Sequence, residues 1–364
     1  MAVVVAKIGT SSVTGDDGTI VVERVAKLCG EVVGLREAGH SVVVVTSGAI
    51  AAGLPALGMT RAGARDLATL QAVSAVGQSR LMRVYDEAFG AYGVVCGQVL
   101  IAPLDFMVRQ QYLHARSTLK RLLALGVVPV VNENDVLADD EIRFGDNDRI
   151  AALVAHLLAA DVLVMLTDTA GVLTADPRLD AGASLIEEIL EVDASLEAAA
   201  GGAGTSRGSG GMASKLAAAK IAAWSGVRTV IAAADKDGVL AGAVAGDAGV
   251  GTVVRPRPKR LGARKLWIAF AVGSSGTVVV DDGARAALLE RNVSLLPAGV
   301  VSAHGTFTIG DAVEVAGSDG RPFAKGLVQV SASVLAAVAG RRTADLAEGI
   351  PHEVVHRDDL VVLP

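Results

Sequence analysis

Cysteine is nearly absent: Cys29 and Cys96 are the only two in 364 residues, and neither lies in a metal-type spacing. Two isolated thiols exclude a disulfide framework and point to a reducing compartment, so a cytoplasmic location is expected. Aromatic residues make up only 3% of the chain, which leaves few flat side chains on which nucleic-acid bases could stack. His40, His114, His156, His304 and His352 are scattered without ligand spacing, so a histidine metal centre is not expected. No uninterrupted apolar run reaches transmembrane length. The apolar stretch at residues 2–6 lacks a basic leader and a cleavage signal, and it reads as a buried strand. No membrane partner is expected.

What the chain does have is aliphatic material. Hydrophobic residues make up 51% and the mean hydropathy is +0.48, with Ala, Val, Leu and Gly dominant. A core of small and branched aliphatics suits helices packed closely on a parallel sheet, and the length favours two domains. Short β-branched runs at 3–7, 42–46, 94–101, 127–131 and 162–167 read as buried strands. Helical spacing of apolar residues covers 22–38, 64–89, 109–125 and 149–159. This alternation predicts a three-layer αβα sandwich with a mainly parallel sheet, whose ligands bind beyond the carboxyl ends of the strands. From about residue 273 brief strands at 276–281, 301–302, 306–309, 312–315 and 324–330 predict a small mixed β domain. The expected division is 1–254, a linker at 255–265, and 266–364.

The net charge of −6 is uneven. The linker Arg255-Pro-Arg-Pro-Lys-Arg-Leu-Gly-Ala-Arg-Lys265 holds six basic residues and no acid, and its charges are expected to keep it solvated. Without it, residues 266–364 carry 7 basic and 11 acidic side chains, which argues against a strong RNA surface.

The polar clusters fall right after the strands. Lys7-Ile8-Gly9-Thr10-Ser11-Ser12 can set a charged head and backbone N–H groups around a phosphate, or simply cap a strand. Thr46-Ser47-Gly48-Ala49-Ile50 runs from strand to helix and offers N–H groups to an anion, as ordinary helix starts also do. Asn132-Glu133-Asn134-Asp135 can ligate the ammonium and carboxylate of an amino acid together, and Gly145-Asp146-Asn147-Asp148-Arg149 opens the next helix. Neither acidic cluster has EF-hand spacing. A dense run of hydroxyls and acids follows residue 167, beginning Thr167-Asp168-Thr169. Gly208-Ser209-Gly210-Gly211-Met212-Ala213-Ser214-Lys215 is a glycine-rich loop entering a helix, suited to close approach of phosphates. It is not a Walker A loop, because the chain has no Gly-Lys pair. His356-Arg357-Asp358 mimics a protein-kinase catalytic loop, but no Asp-Phe-Gly follows it.

Taken together with Ala75-Val76-Gly77-Gln78-Ser79, Leu166-Thr167-Asp168 and Thr174-Ala175-Asp176-Pro177, these clusters in this order resemble the amino acid kinase family. Within it they resemble the members that phosphorylate the side-chain carboxylate of glutamate, the first step of proline biosynthesis. The C-terminal domain resembles the PUA module. Ser209 and Ser214 stand where the family often has threonine. The resemblance implies Lys7 and Lys215 on the transferring phosphate, with Asp148 orienting them as the third catalytic residue. It implies Ser47, Gly48, Asn134, Asp135 and Asn147 around glutamate. For ATP it implies Lys7, Gly9, Thr167, Asp168, Ser209, Gly210, Gly211, Met212, Ala213, Ser214 and Lys215, with Mg²⁺ bridging the phosphates and no protein side chain assigned to the metal. It further implies a homo-oligomer, dimer or tetramer, and proline as feedback inhibitor. Kinases of the same fold that act on aspartate, acetylglutamate, carbamate or UMP are the alternatives, and an RNA-binding role of the C-terminal domain is a third.

Overall fold

The computed structural model describes residues 1–15, 17–64, 66–106, 108–137, 147–175, 180, 182–200, 211–270 and 272–363. The chain divides into two compact units, Met1–Arg260 and Leu261–Pro364.

The first unit is built on β1 (Val3–Ile8), α1 (Thr10–Val13), α2 (Val22–Glu37), β2 (Ser41–Val45), α3 (Ala49–Gly53), α4 (Leu67–Gly90), β3 (Cys96–Ile101), α5 (Arg109–Ala124), β4 (Val128–Glu133), α6 (Asn147–Leu158) and β5 (Val162–Thr167). It continues through β6 (Glu188–Ile189), α7 (Ala194–Ala200), α8 (Met212–Trp224), β7 (Arg228–Ala233), α9 (Val239–Ala245) and β8 (Gly251–Val254). The strands form one 8-stranded sheet in the order β3-β4-β2-β1-β5-β7-β8-β6. Its pairs are parallel except β7 with β8. The β-branched runs are buried on both faces, as a parallel sheet covered by helices requires.

Strand parity decides what each face touches. Val4, Ala6 and Ile8 of β1, Val42 and Val44 of β2, and Val128 and Val130 of β4 share one core with α2, α9 and the Leu81–Tyr85–Phe89 face of α4. Residues of the other parity therefore point to the opposite layer, where α6 packs against β1, α5 and α8. Lys7 is of that parity. Register then aligns the strand ends: Lys7 lies beside Val45 of β2 and Met165 of β5, and Val45 lies beside Val131 of β4. The residues that follow, Thr46-Ser47, Asn132 to Asp135 and Thr167-Asp168, all emerge at one edge of the sheet.

The second unit has α10 (Ala263–Phe270), β9 (Gly276–Val280), α11 (Asp282–Arg291), β10 (Val300–Gly305), β11 (Ala312–Ala316), β12 (Pro322–Val328), α12 (Ala332–Val338) and β13 (Val355–Val362). Its 5-stranded sheet runs β10-β9-β11-β12-β13 around a core that includes Val278, Val313, Phe323 and Leu335.

One expectation is corrected. Residues 306–309 are not a strand: Thr308 donates from its N–H and its hydroxyl to Asp311 Oδ2 at 2.7 and 3.0 Å, so a side-chain turn takes the place of a ladder. The basic stretch is mostly exposed, and its first arginines also make specific contacts. Arg255 Nε donates to Glu188 Oε1 at 2.6 Å, Arg257 stacks over the Trp224 ring at 4.0 Å and pairs with Glu191, and Arg260 Nη2 donates to the His156 carbonyl at 2.6 Å.

Candidate active site

The ladder parity that turns Lys7 away from α2 brings it to the first turn of α6. There Lys7 Nζ lies 2.6 Å from Asp148 Oδ1, and Lys215 Nζ, from the first turn of α8, lies 3.2 Å from Asp148 Oδ2. The Ser214 hydroxyl donates to the same Oδ2 at 2.7 Å. All three charged residues are almost sealed, with Lys7 4%, Asp148 1% and Lys215 5% exposed. Burial pushes the Asp148 carboxyl up, but the ammonium of Lys7, then that of Lys215, outweigh it and hold the carboxyl at about 2. One carboxylate thus fixes two ammonium groups from distant parts of the chain. Gly9 stands beside them: a Cβ there would lie 3.6 Å from Lys7 Nζ.

A second group forms beyond β4. Asn147 Oδ1 accepts from the Glu133 N–H at 3.1 Å, which ties the start of α6 to the Asn132–Asp135 segment. Asp135 is buried, and its Oδ2 accepts from the Ser74 hydroxyl at 2.5 Å. Burial raises the Asp135 carboxyl above its ordinary value, against the opposing pull of Ser74. Asn132 Nδ2 donates to Gln78 Oε1 at 2.8 Å, while Asn134 is half-buried. Ser47 is buried, and Gly48 caps α3 at φ 109°, where a side chain would be strained and would meet Ile20 and Val13.

Thr167 and Asp168 bond to each other, Oγ1 to Oδ1 at 3.1 Å. They line a cavity of about 850 Å³ with Ser11, Ser12, Arg24 and Asp235, whose lining does not include Lys7, Asp148 or Lys215. Gly211 caps α8, and Met212 and Ala213 begin it. Ser209 and Gly210 lie outside the described residues, as do Gly145 and Asp146. Among the described residues no group of three or more His, Cys, Asp or Glu side chains gathers in a way that could hold a metal ion.

Ser74 and Gln78 were not anticipated as part of any site. Their signal was available: two polar residues four apart on a face of α4 whose neighbours, Val73 and Leu81, are core.

The model of the Amino acid kinase family matches residues 2–233, and that of the PUA domain matches 276–350. The chain belongs to the amino acid kinase family. It is 44% identical to the glutamate 5-kinase of Pelobacter propionicus over 364 residues, 99% of this chain and 97% of that one. It is 45% identical to the glutamate 5-kinase of Nocardia farcinica over 358 residues, 98% and 96% of the two chains. The glutamate 5-kinase of Frankia casuarinae is 47% identical over 367 residues, 99% of this chain and 96% of that one.

Proposed function

We propose that this chain is a glutamate 5-kinase, transferring a phosphoryl group from ATP to the side-chain carboxylate of L-glutamate and giving L-glutamate 5-phosphate, the first step of proline biosynthesis. The observation that carries the reading is the Lys7–Asp148–Lys215 cluster at the strand ends, in a chain 44% identical over nearly its whole length to a glutamate 5-kinase.

The chemistry fits these residues. A glutamate side chain has an ordinary pKa of about 4.3, so it is already an anionic nucleophile at neutral pH and needs no general base. The barrier is electrostatic: an anion must meet the terminal phosphate of a polyanion. Lys7 and Lys215, held in place before the substrates arrive, stabilise charge on the transferring group. Asp148 orients both ammoniums, and Ser214 fixes Asp148. Ser47, Gly48, Asn134, Asp135 and Asn147 hold glutamate, with the Asp135 carboxylate suited to the free ammonium. Thr167, Asp168, Gly9 and the segment 209–215 hold ATP. Bound with the nucleotide, Mg²⁺ would neutralise part of the phosphate charge that Lys7 and Lys215 also face.

Proline as feedback inhibitor belongs to the same reading, as does a cytoplasmic location, which two isolated thiols support. Assembly into a dimer or tetramer belongs to it too, as does the division into a kinase domain at 1–254, a linker at 255–265 and a PUA-like domain at 266–364. Among the described residues no helix is long and apolar enough to cross a membrane. The test is ADP release from Mg-ATP across a panel of free amino acids, expected with L-glutamate. Turnover of aspartate or N-acetylglutamate at an equal or higher rate overturns the assignment.

A further inference from the structure

Strand parity that carries Lys7 to α6 carries other residues to α4. Val42 and Val44 of β2, and Val128 and Val130 of β4, face the α4 layer. Thr46 and Asn132 continue those two series, and each meets a polar group of α4: Thr46 Oγ1 lies 2.8 Å from the Tyr85 hydroxyl, and Asn132 Nδ2 donates to Gln78 Oε1 at 2.8 Å. One turn before Gln78, Ser74 donates to Asp135 Oδ2 at 2.5 Å. Ser74 is 3% and Gln78 8% exposed. Polar side chains on a core-facing stripe are costly unless paired, and each of these is paired to a residue at the candidate substrate site.

Between them lies Gly77, where a Cβ would stand 1.8 Å from the Ala49 carbonyl oxygen. The same turn of α4 therefore also seats the start of α3, directly after Ser47 and Gly48. Among the described residues only one bond holds the Asn132–Gln78 amide pair, and Gln78 Nε2 and Asn132 Oδ1 are buried with no partner there. The orientation of Asn132 depends on that bond.

We propose that Ser74 and Gln78 are positioning residues for the amino-acid substrate, acting through Asp135 and Asn132 and thereby setting affinity for glutamate without touching the phosphoryl-transfer cluster. The proposal rests on the functional reading above. Ser74 supplies the only side-chain hydroxyl bonded to Asp135 among the described residues. Without it the buried carboxylate loses both its orientation and a donor that favours its charged form.

Steady-state kinetics with L-glutamate and ATP varied separately, together with a melting curve for each variant, test this. Ser74→Ala is expected to raise the KM for glutamate about tenfold, the scale of one lost hydrogen bond to a charged group, with the KM for ATP and kcat within about twofold. Gln78→Met, which keeps the volume and removes the bond, is expected to show the same split. Ser74→Thr keeps the hydroxyl and restores most of the affinity. Ser79→Ala, on the exposed side of α4, changes nothing. A purely structural role would lower the melting temperature and move both KM values together, and that outcome overturns the proposal. So does wild-type affinity for glutamate in Ser74→Ala. Failure of the wild-type chain to use glutamate overturns the functional reading and this proposal with it, whereas an active wild type with unmoved variants overturns this proposal alone.

Discussion

At Asp148 two lysines separated by some two hundred positions converge on one carboxylate, and the roles proposed for all three rest on that arrangement. Lys7→Ala and Lys215→Ala are expected to lower kcat by on the order of 100-fold or more, the usual weight of one preorganised donor. The KM for glutamate should change far less, and steady-state kinetics separate the two. Asp135 behaves in the opposite way to Asp148. Its folded pKa is raised by burial, so its ionisation costs stability: the stability is fully present below the unfolded pKa and is lost as pH rises through the folded one. Asp135→Asn is therefore expected to raise the melting temperature at pH 7 while raising the KM for glutamate. Its stabilising effect should shrink toward pH 4, and a pH series of melting curves reads this directly. A residue kept at a stability cost is what a ligand-binding carboxylate requires.

Among the elements, α4 is the one whose role was least legible. Its apolar spacing announces an amphipathic helix, and the expectation of 64–89 lies close to the observed Leu67–Gly90. What periodicity hides is that Ser74 and Gln78 sit on the buried stripe, since polar residues lower the very signal used to find the stripe. Strand β5 was read with its observed bounds, Val162–Thr167, because a continuous β-branched and aliphatic run has no other reading there. The clusters after the strands were legible for the same reason: in a parallel sheet the position of a site follows from topology. Their partners were not, because the meeting of Lys7 with α6, or Asn132 with α4, depends on strand parity relative to helices far away in sequence. Packing of α3 on α4 gives a sharp test. Gly77→Ala places a methyl 1.8 Å from the Ala49 carbonyl oxygen and is expected to destabilise the chain by about 1–3 kcal/mol or more in urea denaturation. Gly90→Ala, in the same helix with open space around it, is expected to be neutral or to stabilise by up to about 1 kcal/mol.

For the whole molecule, the boundary of the catalytic unit matters. Arg255, Arg257 and Arg260 are held by Glu188, Glu191, Trp224 and the His156 carbonyl. A chain ending after residue 260 keeps those contacts, while one ending at 254 loses them. Every candidate catalytic residue lies before residue 216, so the chain ending after 260 is expected to fold and retain Mg²⁺-dependent kinase activity. The chain ending at 254 is expected to melt at a lower temperature. A folded but inactive 1–260 chain would show that the C-terminal unit helps to build the site. The central claim, that a free glutamate side chain receives the phosphoryl group, is tested most directly by trapping the product. With Mg-ATP and hydroxylamine, the full-length chain is expected to yield a hydroxamate from L-glutamate, and much less from aspartate or N-acetylglutamate. A hydroxamate yield from either of these equal to or above that from L-glutamate would contradict the account.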